Sequence, residues 1–138
     1  MDTDATLRDV AAINTALLVE DNADVAYLLQ YMLKRDGYAV QSLSNGRDAK
    51  KYIAESRPTD VVILDLMLPY IDGFELLTQI RESSSWRNVP VVVLSGKVSE
   101  RDIVRAIELG ADDFVTKPYK PLELSARIRR CTNDAKWR

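Results

Sequence analysis

Four apolar runs in this chain each lead into a residue able to do chemistry. Val61-Val62-Ile63-Leu64 runs into Asp65, and Ala16-Leu17-Leu18-Val19 runs into Glu20 and Asp21. Val91-Val92-Val93-Leu94 ends on Ser95, and Phe114-Val115-Thr116 is followed by Lys117. Carboxylates, a hydroxyl and an amine are the inventory of a metal-assisted phosphoryl site. Carboxylates brought to one place repel one another unless a cation joins them. Oxygen ligands completed by water and phosphate suit Mg²⁺. A carboxylate such as Asp65 can act as nucleophile toward phosphorus and give an aspartyl phosphate. Catalysis is then positioning plus charge neutralisation, with Lys117 and Mg²⁺ facing the phosphoryl oxygens. Ser95 can donate to one of those oxygens, and Gly96 beside it leaves room. Each residue also has a plainer reading when taken alone. Asp65 could cap a loop, Glu20-Asp21 could be a solvated acidic turn, Lys117 a surface lysine and Ser95 a turn residue. These plain readings weaken together, because all the residues close the same kind of run.

The elements that must position these residues follow from periodicity. Asn22 is an N-cap for a helix whose apolar face is Val25, Leu28, Leu29, Met32 and Leu33, ended by Gly37. Tyr38 to Leu43 reads as a strand, and Ser44 to about Glu55 as a helix. After the strand ending at Asp65, Asp72 and Glu75 form a capping box for a helix through about Glu82. Val89 to Leu94 is a strand, and Ser99 with Asp102 caps a helix ending before Gly110. Asp112 to Thr116 is a strand, and Pro121 opens a final helix to about Cys131. Strands that are continuous apolar runs, alternating with helices, predict a doubly wound α/β parallel sheet covered on both faces. Sites in such sheets lie at the C-terminal strand ends, where the reactive residues fall.

The chain has 138 residues, the size of one domain. It divides into an extension over 1–14, a body over 15–133 and a tail over 134–138. The extension spaces Leu7, Val10, Ala11 and Ile13 roughly as a helix face. A net charge of −2 gives no general argument for nucleic acid or an anionic membrane. The absence of histidine excludes imidazole catalysis, imidazole metal ligation and phosphohistidine on this chain. With one cysteine, Cys131, an internal disulfide is excluded and zinc is disfavoured. No apolar stretch reaches the length of a membrane span and no signal peptide opens the chain, so the expected location is the cytoplasm.

Together the motifs resemble the receiver domain of two-component response regulators, the family of the chemotaxis protein CheY. The matching stretches are Leu17-Leu18-Val19-Glu20-Asp21-Asn22, Val62-Ile63-Leu64-Asp65-Leu66-Met67-Leu68-Pro69, Val91-Val92-Val93-Leu94-Ser95-Gly96 and Gly110-Ala111-Asp112-Asp113-Phe114-Val115-Thr116-Lys117-Pro118. The resemblance implies a five-stranded, flavodoxin-like sheet of order 2-1-3-4-5. It implies Asp65 as phosphoacceptor, Glu20 and Asp21 as the acids that hold Mg²⁺, and a backbone carbonyl of Met67 as a further metal ligand. Ser95 and Phe114 match the switch pair, Lys117 the phosphoryl-pairing lysine, and Lys117-Pro118 the position of a cis peptide bond. The implied donor is a sensor histidine kinase or a histidine phosphotransfer protein. The implied output is a changed partner preference on the face made by the fourth helix, fifth strand and fifth helix. The chain is then a phosphoacceptor with slow self-dephosphorylation rather than an enzyme acting on other molecules.

Other readings stay open on the sequence. A haloacid-dehalogenase-like phosphatase would want an aspartate where Met67 stands, and a nucleotide or flavin binder would want a Gly-rich loop where Glu20-Asp21-Asn22 stands. A phosphorylation-independent binding module would not need the acids and Lys117. The stretch 110–113 and the last helix look nearest to OmpR-type receivers, in which charge pairs such as Asp113 with Arg127 join a homodimer. Ile103 stands where that subfamily usually has a basic residue. The expectation is either a free-standing receiver or one cut from a longer DNA-binding regulator or hybrid kinase. Arg127, Arg129, Arg130, Lys136 and Arg138 read as a solvated helix end favoured by the helix dipole, not as a nucleic-acid patch. Lys97, two residues after Ser95, is expected with Met67 at the border of the phosphoryl site.

Overall fold

A computed structural model describes residues 14–96 and 99–135. The extension over 1–14, apart from Asn14, lies outside them, as do Lys97, Lys136 and Arg138. The described chain forms β1 (Asn14–Val19), α1 (Ala23–Arg35), β2 (Tyr38–Leu43), α2 (Gly46–Glu55), β3 (Val61–Leu64), α3 (Gly73–Glu82), β4 (Val91–Ser95), α4 (Glu100–Glu108), β5 (Asp113–Thr116) and α5 (Pro121–Ala135). The strands pair in parallel in the order β2-β1-β3-β4-β5, the expected doubly wound sheet.

Alternate residues of the central strands feed two cores. Leu17, Val19, Val62, Leu64, Val91 and Val93 pack with α2 and α3 through Ala49, Ile53, Leu76, Leu77 and Ile80. Ala16, Leu18, Val61, Ile63, Val92 and Leu94 pack with α1 and α5 through Leu29, Leu33, Leu124 and Ile128. Both faces are covered, so β1 from Ala16 to Val19, all of β3 and β4 from Val91 to Leu94 are apolar at every position. The edge strands depart from that expectation. β2 alternates, with Ala39 and Gln41 exposed, and β5 is half-buried, because each edge has one neighbour only.

Three local expectations need correction. Leu28 does not belong to the buried face of α1: it is 58% exposed, and the stripe is Ala26, Leu29, Met32 and Leu33. One residue turns the helix by about 100°, which carries Leu28 off the stripe that holds Leu29. The capping box at α3 is one-sided. Asp72 accepts from the Glu75 amide at 3.0 Å, but the Glu75 carboxylate reaches Lys50 at 3.8 Å instead. The box at α4 is complete, with both Ser99 and Asp102 bonded across the cap. Finally, α5 runs to Ala135, beyond the expected end at Cys131, and Tyr38 Oη anchors its last turns through Thr132 Oγ1 at 3.0 Å.

At the N-terminal edge of the sheet Arg81 ties three segments together. Its guanidinium donates to the carbonyls of Arg87, Val89 and Gly110 and to Asp112 Oδ2 at 2.8 Å. Asp112 Oδ2 also accepts from the Val91 amide at 2.8 Å. The entries to β4 and β5 are thereby held to the end of α3, far from the reactive strand ends.

Candidate phosphoryl-transfer site

β1 and β3 are adjacent, with Val19 opposite Leu64 and the Asp65 amide donating to the Val19 carbonyl at 3.0 Å. That register places the residues that follow, Glu20-Asp21 and Asp65, side by side. β4 lies beside β3 and ends on Ser95, and β5 beside β4 delivers Lys117, whose amide donates to the Ser95 carbonyl at 2.9 Å. The sequence-predicted cluster is therefore assembled at one edge. Glu20, Asp21 and Asp65 each place a carboxylate oxygen within 4.8 Å of the others.

Gly73 permits the approach of α3 to this edge. A Cβ there would stand 2.5 Å from the Asp65 carbonyl oxygen and 2.6 Å from the Leu66 Cα. The Gly73 amide donates to the Leu66 carbonyl at 2.9 Å, closing the β3–α3 loop.

Asp65 is buried and fully engaged. Ser95 Oγ and the Met67 amide both donate to Oδ1 at 3.0 Å, and Lys117 Nζ donates to Oδ2 at 3.1 Å. Burial pushes the Asp65 carboxyl up, but its interaction with the neighbouring Glu20 side chain, the hydrogen bond from the Met67 amide and the Lys117 charge outweigh it, and its pKa is lowered. Glu20 is also buried, at 3% exposure, and Lys117 Nζ donates to its Oε1. Burial, then the neighbouring Asp65, raise the Glu20 pKa to about 7 against the opposing pull of Lys117. Burial alone would lower the Lys117 pKa, yet its bonds to Glu20 and Asp65 raise it. Lys117 thus supplies part of the positive charge that the acids require. Asp21, by contrast, is exposed.

The donor set fits a hard divalent cation. All three groups are carboxylates, and Glu20 Oε2 is buried without a hydrogen-bond partner. A buried acceptor left open is costly, and a cation beside Asp21 and Asp65 would satisfy it.

Phe114 lies on β5 opposite Val93, two positions before the Thr116 that faces Ser95. It is half-buried against the core that holds α3. The Lys117-Pro118 bond is cis, as the resemblance implies. Asp113 and Arg127 do pair, but within one chain, at 3.1 Å, with Arg130 at 3.4 Å from the same oxygen. Sequence reasoning missed Gly73, although a glycine in the first turn of a helix is itself a signal of close approach.

The response regulator receiver domain model matches residues 16–129, and the chain belongs to that family. It is 42% identical over 113 residues to the alkaline phosphatase synthesis transcriptional regulatory protein PhoP of Bacillus subtilis. That alignment covers 82% of this chain and 46% of the relative, so the chain spans about half the length of that regulator. Among solved structures it resembles the signal receiver domain of a signal transduction histidine kinase from Syntrophus aciditrophicus, with TM-score 0.80, 34% identity, 88% of this chain covered and 91% of the other. It equally resembles the receiver domain of sensor histidine kinase PA1611 from Pseudomonas aeruginosa, with TM-score 0.80 and 30% identity over 88% of this chain and 99% of the other. That structure carries a magnesium ion coordinated in the active site cleft.

Proposed function

We propose that Asp65 accepts a phosphoryl group from a phosphohistidine on a partner kinase or phosphotransfer protein. The observation that carries this reading is the convergence of Ser95 Oγ, the Met67 amide and Lys117 Nζ on the two oxygens of one buried carboxylate. A carboxylate oxygen of Asp65 attacks phosphorus, the bond from phosphorus to the donor imidazole nitrogen breaks, and that nitrogen keeps the electron pair and takes a proton. Asp65 is ionised for this, since its pKa is lowered. Lys117 moves its charge onto a phosphoryl oxygen, and Ser95 transfers its hydrogen bond from Oδ1 to another. Glu20, Asp21, Asp65 and the Met67 backbone carbonyl would hold Mg²⁺, which supplies positive charge against the phosphoryl oxygens.

On this reading the chain is an acceptor and switch working in the cytoplasm, not an enzyme for other substrates. Ser95 drawn toward the phosphoryl group vacates space that Phe114 fills, and the face of α4, β5 and α5 changes its partners. Val104, Ile107 and Leu122 are exposed apolar side chains on those helices and suit a partner or a second copy. Output through a longer regulator fits the half-length match to PhoP.

Intact-mass analysis after incubation with acetyl phosphate and Mg²⁺ tests the reaction. The wild type should gain one phosphoryl mass and Asp65→Asn none. The same gain in both would overturn the assignment.

A further inference from the structure

The loop after Asp65 contains an unusual backbone. Tyr70 has φ +71°, in the region that side chains other than glycine rarely adopt. The Ile71 amide donates to the Pro69 carbonyl at 2.9 Å, so a three-residue γ-turn is centred on Tyr70. Such a turn persists only where its surroundings over-determine it. The surroundings here come from the first residues of α2. The Gly46 amide donates to the same Pro69 carbonyl at 3.2 Å. Gly46 lets the Ile71 carbonyl oxygen come so close that a Cβ would stand 1.7 Å from it. Beyond the backbone, the Arg47 guanidinium sits over the Tyr70 ring, 4.0 Å from its centroid.

The same loop carries Met67, whose amide donates to Asp65 Oδ1. Its far end is pinned by the Gly73 amide on the Leu66 carbonyl. The γ-turn at Tyr70 lies within the segment between Leu66 and Gly73. We propose that Arg47, stacked on Tyr70, is a positioning residue for phosphoryl transfer: it holds the γ-turn closed and so holds the Met67 main chain against the acid cluster. This rests on the reading of Asp65 as Mg²⁺-dependent phosphoacceptor. The ring is the required element, because a guanidinium is attracted to an aromatic face and not to an aliphatic side chain. Its hydroxyl has no part in the contact.

The test uses Arg47→Ala, Arg47→Lys, Tyr70→Leu and Tyr70→Phe in the full chain. Calorimetric Mg²⁺ titration, acetyl phosphate phosphorylation rate, and hydrogen exchange at the Gly46 and Ile71 amides are measured for each. An exposed cation–π contact predicts a Mg²⁺ affinity weaker by about two- to fivefold in Arg47→Ala and Tyr70→Leu. Faster exchange at both amides and slower phosphorylation should accompany it. Tyr70→Phe should match wild type, and Arg47→Lys should lie between. Alanine favours helix at least as well as arginine, so a loss in Arg47→Ala does not come from weakening α2. Unchanged affinity and exchange in Arg47→Ala would overturn the proposal alone, as would a Tyr70→Phe variant as impaired as Tyr70→Leu. A wild type that binds no Mg²⁺ would overturn the phosphoacceptor reading and this proposal with it.

Discussion

Glu20 makes the folded chain sensitive to pH in a window where little else titrates. Its carboxyl goes from an ordinary 4.5 to about 7 on folding, because it is buried beside Asp65. A raised pKa means that the native state holds a proton that the unfolded state has released. The stabilisation is complete below about 4.5 and is lost as pH rises through about 7. The shift corresponds to about 3 kcal/mol, a large share of a stability of about 5–15 kcal/mol. The other shifted groups act elsewhere. Asp65 is lowered from 3.8, so its contribution disappears only as pH falls below that value, and Lys117 is raised from 10.5, so its contribution is lost only above it. The chain has no histidine, so no imidazole titrates between them. Urea unfolding without Mg²⁺ should therefore show stability falling between pH 5 and 8, with a midpoint shift of about 1–3 M. In Glu20→Gln, which keeps the shape and cannot ionise, most of that fall should vanish, and at pH 8 the variant should be the more stable protein. Saturating Mg²⁺ should restore the wild type at pH 8 and do much less for the variant. An equal fall in wild type and Glu20→Gln would refute the reasoning, since Glu20 would then not carry the proton.

Two further outcomes follow from the same cluster. Mg²⁺ at about 100 times its dissociation constant should stabilise the wild type by about 3 kcal/mol, with a higher melting temperature, and Asp21→Asn much less; equal rises would count against a metal site at Asp21. Met67 is an exposed apolar side chain two residues after Asp65 and should shield the in-line approach of water to phosphorus without orienting one. Met67→Asn should lose phosphate faster, by about tenfold if its amide holds that water with one hydrogen bond, as measured on the purified phosphoprotein in Mg²⁺; unchanged or slower loss would remove Met67 from the water path.

The site was legible in the sequence because topology alone assembles it. β1, β3 and β4 each contain a run of four apolar residues and β5 a shorter one at Phe114-Val115, and a parallel sheet places all their C-terminal ends on one edge. What the sequence could not separate was Glu20 from Asp21. They read as one acid pair, yet one is buried with an open oxygen and the other is exposed. Nor did it foresee that Lys117 bonds two of the acids at once, because that depends on side-chain reach across the edge. Arg81 was invisible for a different reason. Four of its hydrogen bonds go to the backbone carbonyls of Val89, Gly110 and Arg87, and carbonyls leave no trace in residue type. The γ-turn at Tyr70 carried no glycine to announce it.

Burial also indicates which part of the proposed output face is free to respond. α3 buries five residues, Gly73, Phe74, Leu76, Leu77 and Ile80, whereas α4 buries Ala106 alone. A helix with so little apolar area in the core is held weakly, and its position costs little to change. α4 follows Ser95 in the chain, and Ser95 is tied to Asp65 Oδ1 by a hydrogen bond that a phosphoryl oxygen would compete for. On the proposed mechanism, a small shift of Ser95 would therefore act first on the least anchored helix. β4 itself is buried at every position and paired on both sides, so it resists the same pull. The exposed Val104 and Ile107 ride on α4, so on the proposed mechanism phosphorylation would act on the apolar surface that a partner would read.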